Sequence, residues 1–357
     1  MRILLLADYY PAYLQTFHAK HDVSGLPYAA AQDLLLNDYF GSWGSYRNHF
    51  RKLGHECELI LGNDYVLQEK WVAESGERLG ACAARKFAVV MRQAEAFRPD
   101  AIFTGSMFDY YGAFLSAAAK LTPNVFAWIA CPYPGNLDFS GIRCVISSVD
   151  AFVEKFRASG LMSERLGAAF DPDIAARVRG LPKAYDVTFI GGVSSRSHRY
   201  RVEMLKGLLR QGIKVDIWGY GLDRSLFGNP LKRAFHGELW GLGYYRALAQ
   251  SRITLNFHID VAKKAGFAGN MRTFEATGCG ALLLTDSSEQ LEQAFDPRLE
   301  ISTFSSPAQL QERIGYFLGN EKARVDVAAR GQERCIKDHG YEVRMREFES
   351  ILMRHCV

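Results

Sequence analysis

Several absences bound this sequence. No stretch approaches the ~20 consecutive apolar residues of a membrane-spanning helix, so membrane contact has to be peripheral. The opening Met1-Arg2-Ile3-Leu4-Leu5-Leu6-Ala7-Asp8 is too short for a secretory leader and ends in an acid. It reads as a first buried strand of a cytoplasmic chain, at most peripheral at the inner face of the cell membrane. The 7 cysteines include no Cys-x-x-Cys pair, which argues against a zinc site or a disulfide framework and fits a reducing compartment. Repeats and low-complexity segments are missing. So is the Gly-x-Gly-x-x-Gly fingerprint, which removes NAD as the natural ligand. A net charge of +4 is too small to point to nucleic acid. Its distribution says more: residues 1–180 carry 18 basic and 19 acidic side chains, and residues 181–357 carry 25 and 20. The positive excess lies in the second half and favours an anionic ligand there.

What is present is an α/β pattern. The 357 residues suffice for two domains, each with its own core. Short apolar runs at 3–7, Glu56–Leu61, Ala101–Thr104, 125–129 and 145–147 alternate with helical stretches such as 44–53 and Arg85–Phe97. The pattern restarts after Gly180-Leu181-Pro182-Lys183, giving expected domains at 1–180 and 181–340 and a C-terminal helix over 341–357. The second half opens with a strand at 185–190 running into Gly191-Gly192. A helix over 200–211, a strand at 215–218 and a further apolar run at 248–257 follow. Parallel sheets follow from this alternation.

The segment Asn270-Met271-Arg272-Thr273-Phe274-Glu275-Ala276-Thr277-Gly278-Cys279-Gly280 reads as a short helix, capped by Asn270 and stopped by its glycines. Arg272 and Glu275, three apart, share a face. A helix N-terminus and a guanidinium suit phosphates, and a carboxylate suits sugar hydroxyls. Gly191 and Gly192 allow backbone amides to approach a pyrophosphate, with Arg196 and Arg199 beside them; a tight turn with surface arginines is the alternative. Trp218-Gly219-Tyr220 ends a strand, where an aromatic can stack on a base or simply pack. Asn256 and His258 alternate just before a loop ending at Gly269. In the first half, Tyr10 follows the first strand and His18 and His21 are candidate bases. Asp109 follows another strand as a candidate catalytic carboxylate or a helix cap. Trp71, between Gln68 and Glu74 on one helical face, can pack on a sugar ring or in the core.

The Asn270–Gly280 segment resembles the signature of group 1 glycosyltransferases, in the branch of the spore-maturation CgeB-like proteins. That resemblance implies the GT-B fold, two Rossmann-like domains with parallel sheets facing an interdomain cleft. It implies transfer of a sugar from a nucleoside-diphosphate sugar to a hydroxyl of a glycan, lipid-linked or protein-linked acceptor, in surface polysaccharide or glycoconjugate synthesis. Glu275 matches the ribose-holding glutamate, and His236-Gly237 resembles the segment whose backbone contacts the base. The diphosphate falls to Gly191, Gly192, Arg196, Arg199, Asn270 and Arg272; the sugar and acceptor fall to Tyr10, Trp71, Asn256, His258 and Gly269. No cofactor and no metal are expected. Phe267 stands where the wider family often has a second glutamate, so the sugar and the stereochemistry stay open. The competing readings are a nucleotide-sugar epimerase of the same fold and a non-catalytic sugar-nucleotide or glycan-binding protein.

Overall fold

The computed structural model describes residues 1–78, 85–105, 107, 109–110, 112–222, 229–258 and 270–357. Two compact units divide the chain: Met1–Gly167 together with Arg344–Val357, and Ala168–Val343.

Unit 1 holds β1 (Arg2–Ala7), β2 (Glu56–Leu61), β3 (Ala101–Thr104), β4 (Val125–Trp128), β5 (Cys144–Ser147) and β6 (Ser163–Arg165). They form one parallel sheet in the order β2-β1-β3-β4-β5-β6. Central parallel strands have both faces covered and therefore read as unbroken apolar runs; Ile3, Leu4, Leu5 and Leu6 are all buried. β6, with the sequence Ser-Glu-Arg, carries no such run and left no sequence signal. The helix Tyr341–His355 contributes its last residues to this unit. Phe348 is fully buried there, with ring centroids 4.6 Å from Phe103 and 5.2 Å from Phe50.

Unit 2 holds β7 (Tyr185–Ile190), β8 (Asp216–Trp218), β9 (Ser251–Asn256), β10 (Leu282–Asp286) and β11 (Ser302–Phe304), parallel in the order β11-β10-β9-β7-β8. Val187, Phe189, Leu255, Leu282 and Leu284 pack with Val202, Leu205 and Leu208 of helix Arg199–Arg210 and with Leu310 and Ile314 of helix Pro307–Gly319. The apolar run expected over 248–257 is split by the fold. Leu248 and Ala249 close the helix Gly241–Ala249, and only Ser251–Asn256 is strand. No described helix is long and apolar enough to cross a membrane.

Candidate functional site

In unit 2 the strand ends β7, β9 and β10 gather a polar network around Asn256. This residue ends β9 and is fully buried. Its amide donates to Thr285 Oγ1 on β10 at 3.0 Å. Its Oδ1 accepts from Asn270 Nδ2 at 2.9 Å and from Arg272 Nη1 at 3.2 Å. Asn270 is the N-cap of helix Met271–Gly278, accepting the Thr273 amide at 3.3 Å. One buried amide thus fixes both the start of the helix and the guanidinium in its first turn.

Arg272 places its guanidinium carbon 5.4 Å from the Phe189 ring centroid, a cation–π contact. Its Nε is buried without a partner, and no carboxylate of the described residues lies within ion-pair distance. The guanidinium is held by neutral groups, and Glu275, one turn on, interacts with it electrostatically without forming an ion pair. Close approach explains Gly191: a Cβ there would lie 2.7 Å from Arg272 Nη2. Gly219 is tighter still, since its Cβ would fall 1.9 Å from the Gly191 carbonyl oxygen. Gly191 N–H donates to the Trp218 carbonyl at 2.8 Å and Gly219 N–H to the Gly237 carbonyl at 2.8 Å, so three backbone segments run edge to edge at this sheet end.

Glu275, one turn after Arg272, accepts the hydroxyls of Tyr244 at 2.5 Å and Tyr245 at 3.5 Å. Burial pushes its carboxyl pKa up, opposed by the Tyr244 hydrogen bond and by Arg272. Desolvation raises both tyrosine pKa values as well, keeping their hydroxyls protonated as donors.

The aromatic candidates separate. Trp218 is buried against Tyr185 and His236, with centroids at 5.0 and 4.7 Å, and His236 Nε2 bonds Asp216 Oδ1 at 2.8 Å. Tyr220 is 45% exposed and lies parallel to Trp240 at 6.3 Å and 14°. Trp240 Nε1 donates to Glu238 at 3.1 Å. His258 is buried, its Nδ1 2.5 Å from Asp286 Oδ1 and its amide donating to the same carboxylate. Gly269 and Phe267 lie outside the described residues.

Arg196 and Arg199 are exposed, without hydrogen bond or ion pair among the described residues. The arginine that the structure sets under the glycine turn is Arg201, which sequence reasoning missed. It is buried, donates to the Gly192 carbonyl and the Phe257 carbonyl at 2.9 Å each, and lies 5.3 Å from the Phe189 ring centroid. Its signal was its place in the stripe Arg201, Leu205, Leu208, all on the buried face of their helix.

In unit 1 the candidates do not gather at one point. His18 Nε2 sits 3.0 Å from both oxygens of the buried Asp64, which also caps helix Tyr65–Ser75. His21 is exposed and stacks on Phe17 at 4.5 Å. Tyr10 is 56% exposed, edge-on to Phe40. Asp109 is exposed on the turn after β3, with no hydrogen bond or ion pair among the described residues. The better-built carboxylate is Asp8 at the end of β1, bonded by Lys86 Nζ at 2.6 Å and the Tyr110 hydroxyl at 3.1 Å. Only its position after the first strand could have pointed to it. The one Asp-x-Asp of the sequence, Asp171-Pro172-Asp173, serves a helix start: Asp171 accepts the Asp173 amide at 3.0 Å.

Two parallel-sheet α/β units of this topology define the GT-B fold of glycosyltransferases. Residues 196–350, which include the Asn270 helix, match the model of a family described as glycosyl transferase-like. Similar solved structures include HepE from Anabaena in complex with UDP-glucose, with a TM-score of 0.59, 12% identity and 99% of each chain covered. Sucrose-phosphate synthase from Thermosynechococcus elongatus aligns with a TM-score of 0.58 and 10% identity over 99% of each chain. A glycosyltransferase from Rickettsia africae aligns with a TM-score of 0.56 and 12% identity, over 99% of this chain and 98% of that one. No curated protein matches the chain.

Proposed function

We propose that this protein is a glycosyltransferase moving a sugar from a nucleoside-diphosphate donor to a hydroxyl acceptor. The observation that carries the reading is Arg272: a guanidinium with no ion pair among the described residues, held by buried Asn256 at the N-terminus of an Asn-capped helix. A diphosphate supplies the missing negative charge and can use helix amides as donors. Glu275 one turn on takes the ribose hydroxyls, joining the tyrosines already bonded to it. The family match over residues 196–350 and the UDP-glucose held by HepE support this assignment and make a uridine nucleotide the first donor to test. The Asn-x-Arg-x-x-Glu-Ala motif supports a reading within the CgeB-like branch.

Transfer develops negative charge on the leaving diphosphate. Arg272, the helix end, and exposed Arg196 and Arg199 stabilise it electrostatically, a metal-independent scheme. Exposed Tyr220 beside Trp240 offers the base an aromatic surface. Asp8, His18 with Asp64, and Asp109 are the candidates to receive the acceptor proton. The reaction is placed in the cytoplasm, with a glycan or glycolipid acceptor in surface glycoconjugate synthesis and at most peripheral contact with the inner membrane face.

The test is a thermal-shift screen of UDP-, GDP-, dTDP- and CDP-sugars, followed by product analysis with and without acceptor. A donor at a hundredfold excess over its dissociation constant stabilises by about 2.7 kcal/mol. Donor conversion without acceptor would indicate an epimerase, and binding without turnover a sugar-nucleotide-binding protein. No shift with any donor would overturn the proposal.

A further inference from the structure

Unit 1 contains a cavity of about 390 Å³, within the ~300–1,000 Å³ usual for small-molecule sites. Its lining includes Leu4, Leu59 and Ile60 from the neighbouring strands β1 and β2, with Glu58 from β2. Trp71 and Glu74 come from helix Tyr65–Ser75, Gln93 and Phe97 from helix Arg85–Phe97, and Tyr28 from the start of helix Tyr28–Leu36.

The polar part of this lining is built. The Tyr28 hydroxyl receives Gln32 Nε2 at 2.9 Å and donates to Gln93 Oε1 at 3.3 Å. Gln93 in turn donates to Gln68, which donates to the Leu61 carbonyl at 3.0 Å. Gln32, Gln68 and Gln93 are all buried. Burial raises the Tyr28 pKa, so its hydroxyl stays protonated. The Tyr28 amide fixes the Glu74 carboxylate at 2.5 Å, and Arg51 holds one oxygen of Glu58 at 2.6 Å. Trp71 is different: half-buried, its indole has neither a hydrogen-bond partner nor a ring contact among the described residues. A structural tryptophan normally satisfies its N–H when it is buried.

We propose that this cavity binds the pyranose ring of an uncharged sugar. A pyranose presents an apolar C–H face and a belt of hydroxyls. The cavity offers an indole surface and, around it, two carboxylates, an amide and a phenol in fixed orientations. Glu58 and Glu74 face the cavity with no lysine, arginine or histidine in the lining; Arg51 pairs with Glu58 from outside it, leaving Glu74 as the net negative charge. That charge balance repels uronic acids, sugar phosphates and nucleotide donors. The site is therefore separate in chemistry from the Arg272 network. Taking the ring as part of the acceptor glycan rests on the transferase reading; the pocket itself does not.

The test is saturation-transfer-difference NMR on the full chain with cellobiose, maltose and chitobiose, and with glucuronic acid as the charged comparison. At least one neutral disaccharide should show ring-proton transfer. Trp71→Leu should reduce it tenfold or more, and glucuronic acid should show none. UDP-sugar thermal shifts on the same variant report its folding and the donor site independently. If Trp71→Leu does not fold, Glu58→Gln serves instead, with an expected loss of threefold or more. Absence of binding by all three disaccharides, binding indifferent to these substitutions, or glucuronic acid binding as well as the neutral sugars would overturn the proposal. Disaccharide binding without any response to UDP-, GDP-, dTDP- or CDP-sugars would overturn the transferase reading and leave the pocket standing.

Discussion

Replacing Asn256 by leucine removes three hydrogen bonds from a fully buried position while keeping side-chain volume close. Each neutral bond contributes about 1 kcal/mol net, and a buried donor left without an acceptor costs about 1–3 kcal/mol. The Asn270 amide and an Arg272 N–H both lose their acceptor, so destabilisation of about 3 kcal/mol is expected in urea unfolding at unchanged m-value. Arg272, untethered, should bind UDP at least tenfold more weakly by isothermal titration, a loss of about 1.4 kcal/mol. Asn256→Asp separates the two effects. Its carboxylate still accepts from Asn270 and Arg272, so most stability should remain. It also neutralises Arg272 at the 3.2 Å contact, so UDP affinity should fall at least as far as in the leucine variant. Wild-type affinity in Asn256→Asp would refute the phosphate role of Arg272. A loss below about 0.5 kcal/mol in Asn256→Leu would refute the network as a structural element.

Glu275→Gln should raise thermal stability at neutral pH and weaken UDP binding. The folded protein raises the Glu275 pKa, so the stability this group contributes at low pH is lost as pH rises through its folded value. The advantage of the glutamine variant should be absent below the ordinary carboxylate range and grow towards neutrality; a pH-independent difference in differential scanning fluorimetry would contradict this. Gly219→Ala should fail to fold or lose more than about 3 kcal/mol in urea unfolding. Its Cβ would meet the Gly191 carbonyl oxygen at 1.9 Å, backbone against backbone, where no side-chain rotation gives relief.

How much was legible in the sequence varied with how local each feature was. Glu56–Leu61 and Ala101–Thr104 form strands where their apolar runs predicted them, and Asn270 caps its helix as its residue type predicted. Those signals are local. β6 left none, because a three-residue edge strand is defined by its partner β5 and not by its own side chains. Arg272 was readable from its motif, whereas its support was not: Asn256 and Thr285 lie 16 and 13 residues away and meet it through strand pairing. Asp8 was passed over for Asp109 because Lys86 and Tyr110, which hold Asp8, come from distant segments. Trp218 and Tyr220 looked equivalent as strand-end aromatics. The strand ends at Trp218, which packs against Tyr185, whereas Tyr220 lies beyond the strand end after Gly219 and is exposed.

The return of Arg344–Val357 to unit 1 sets an order of assembly. Domains fold as units during synthesis, from the N-terminus onward. The core around Phe103 and Phe50 lacks Phe348 until residues 344–357 are made, whereas every residue of unit 2 precedes them. Unit 1 is thus begun before unit 2 and completed after it. A chain interrupted before Arg344 would leave every residue of unit 2 made while the unit 1 core around Phe103 and Phe50 still lacked Phe348.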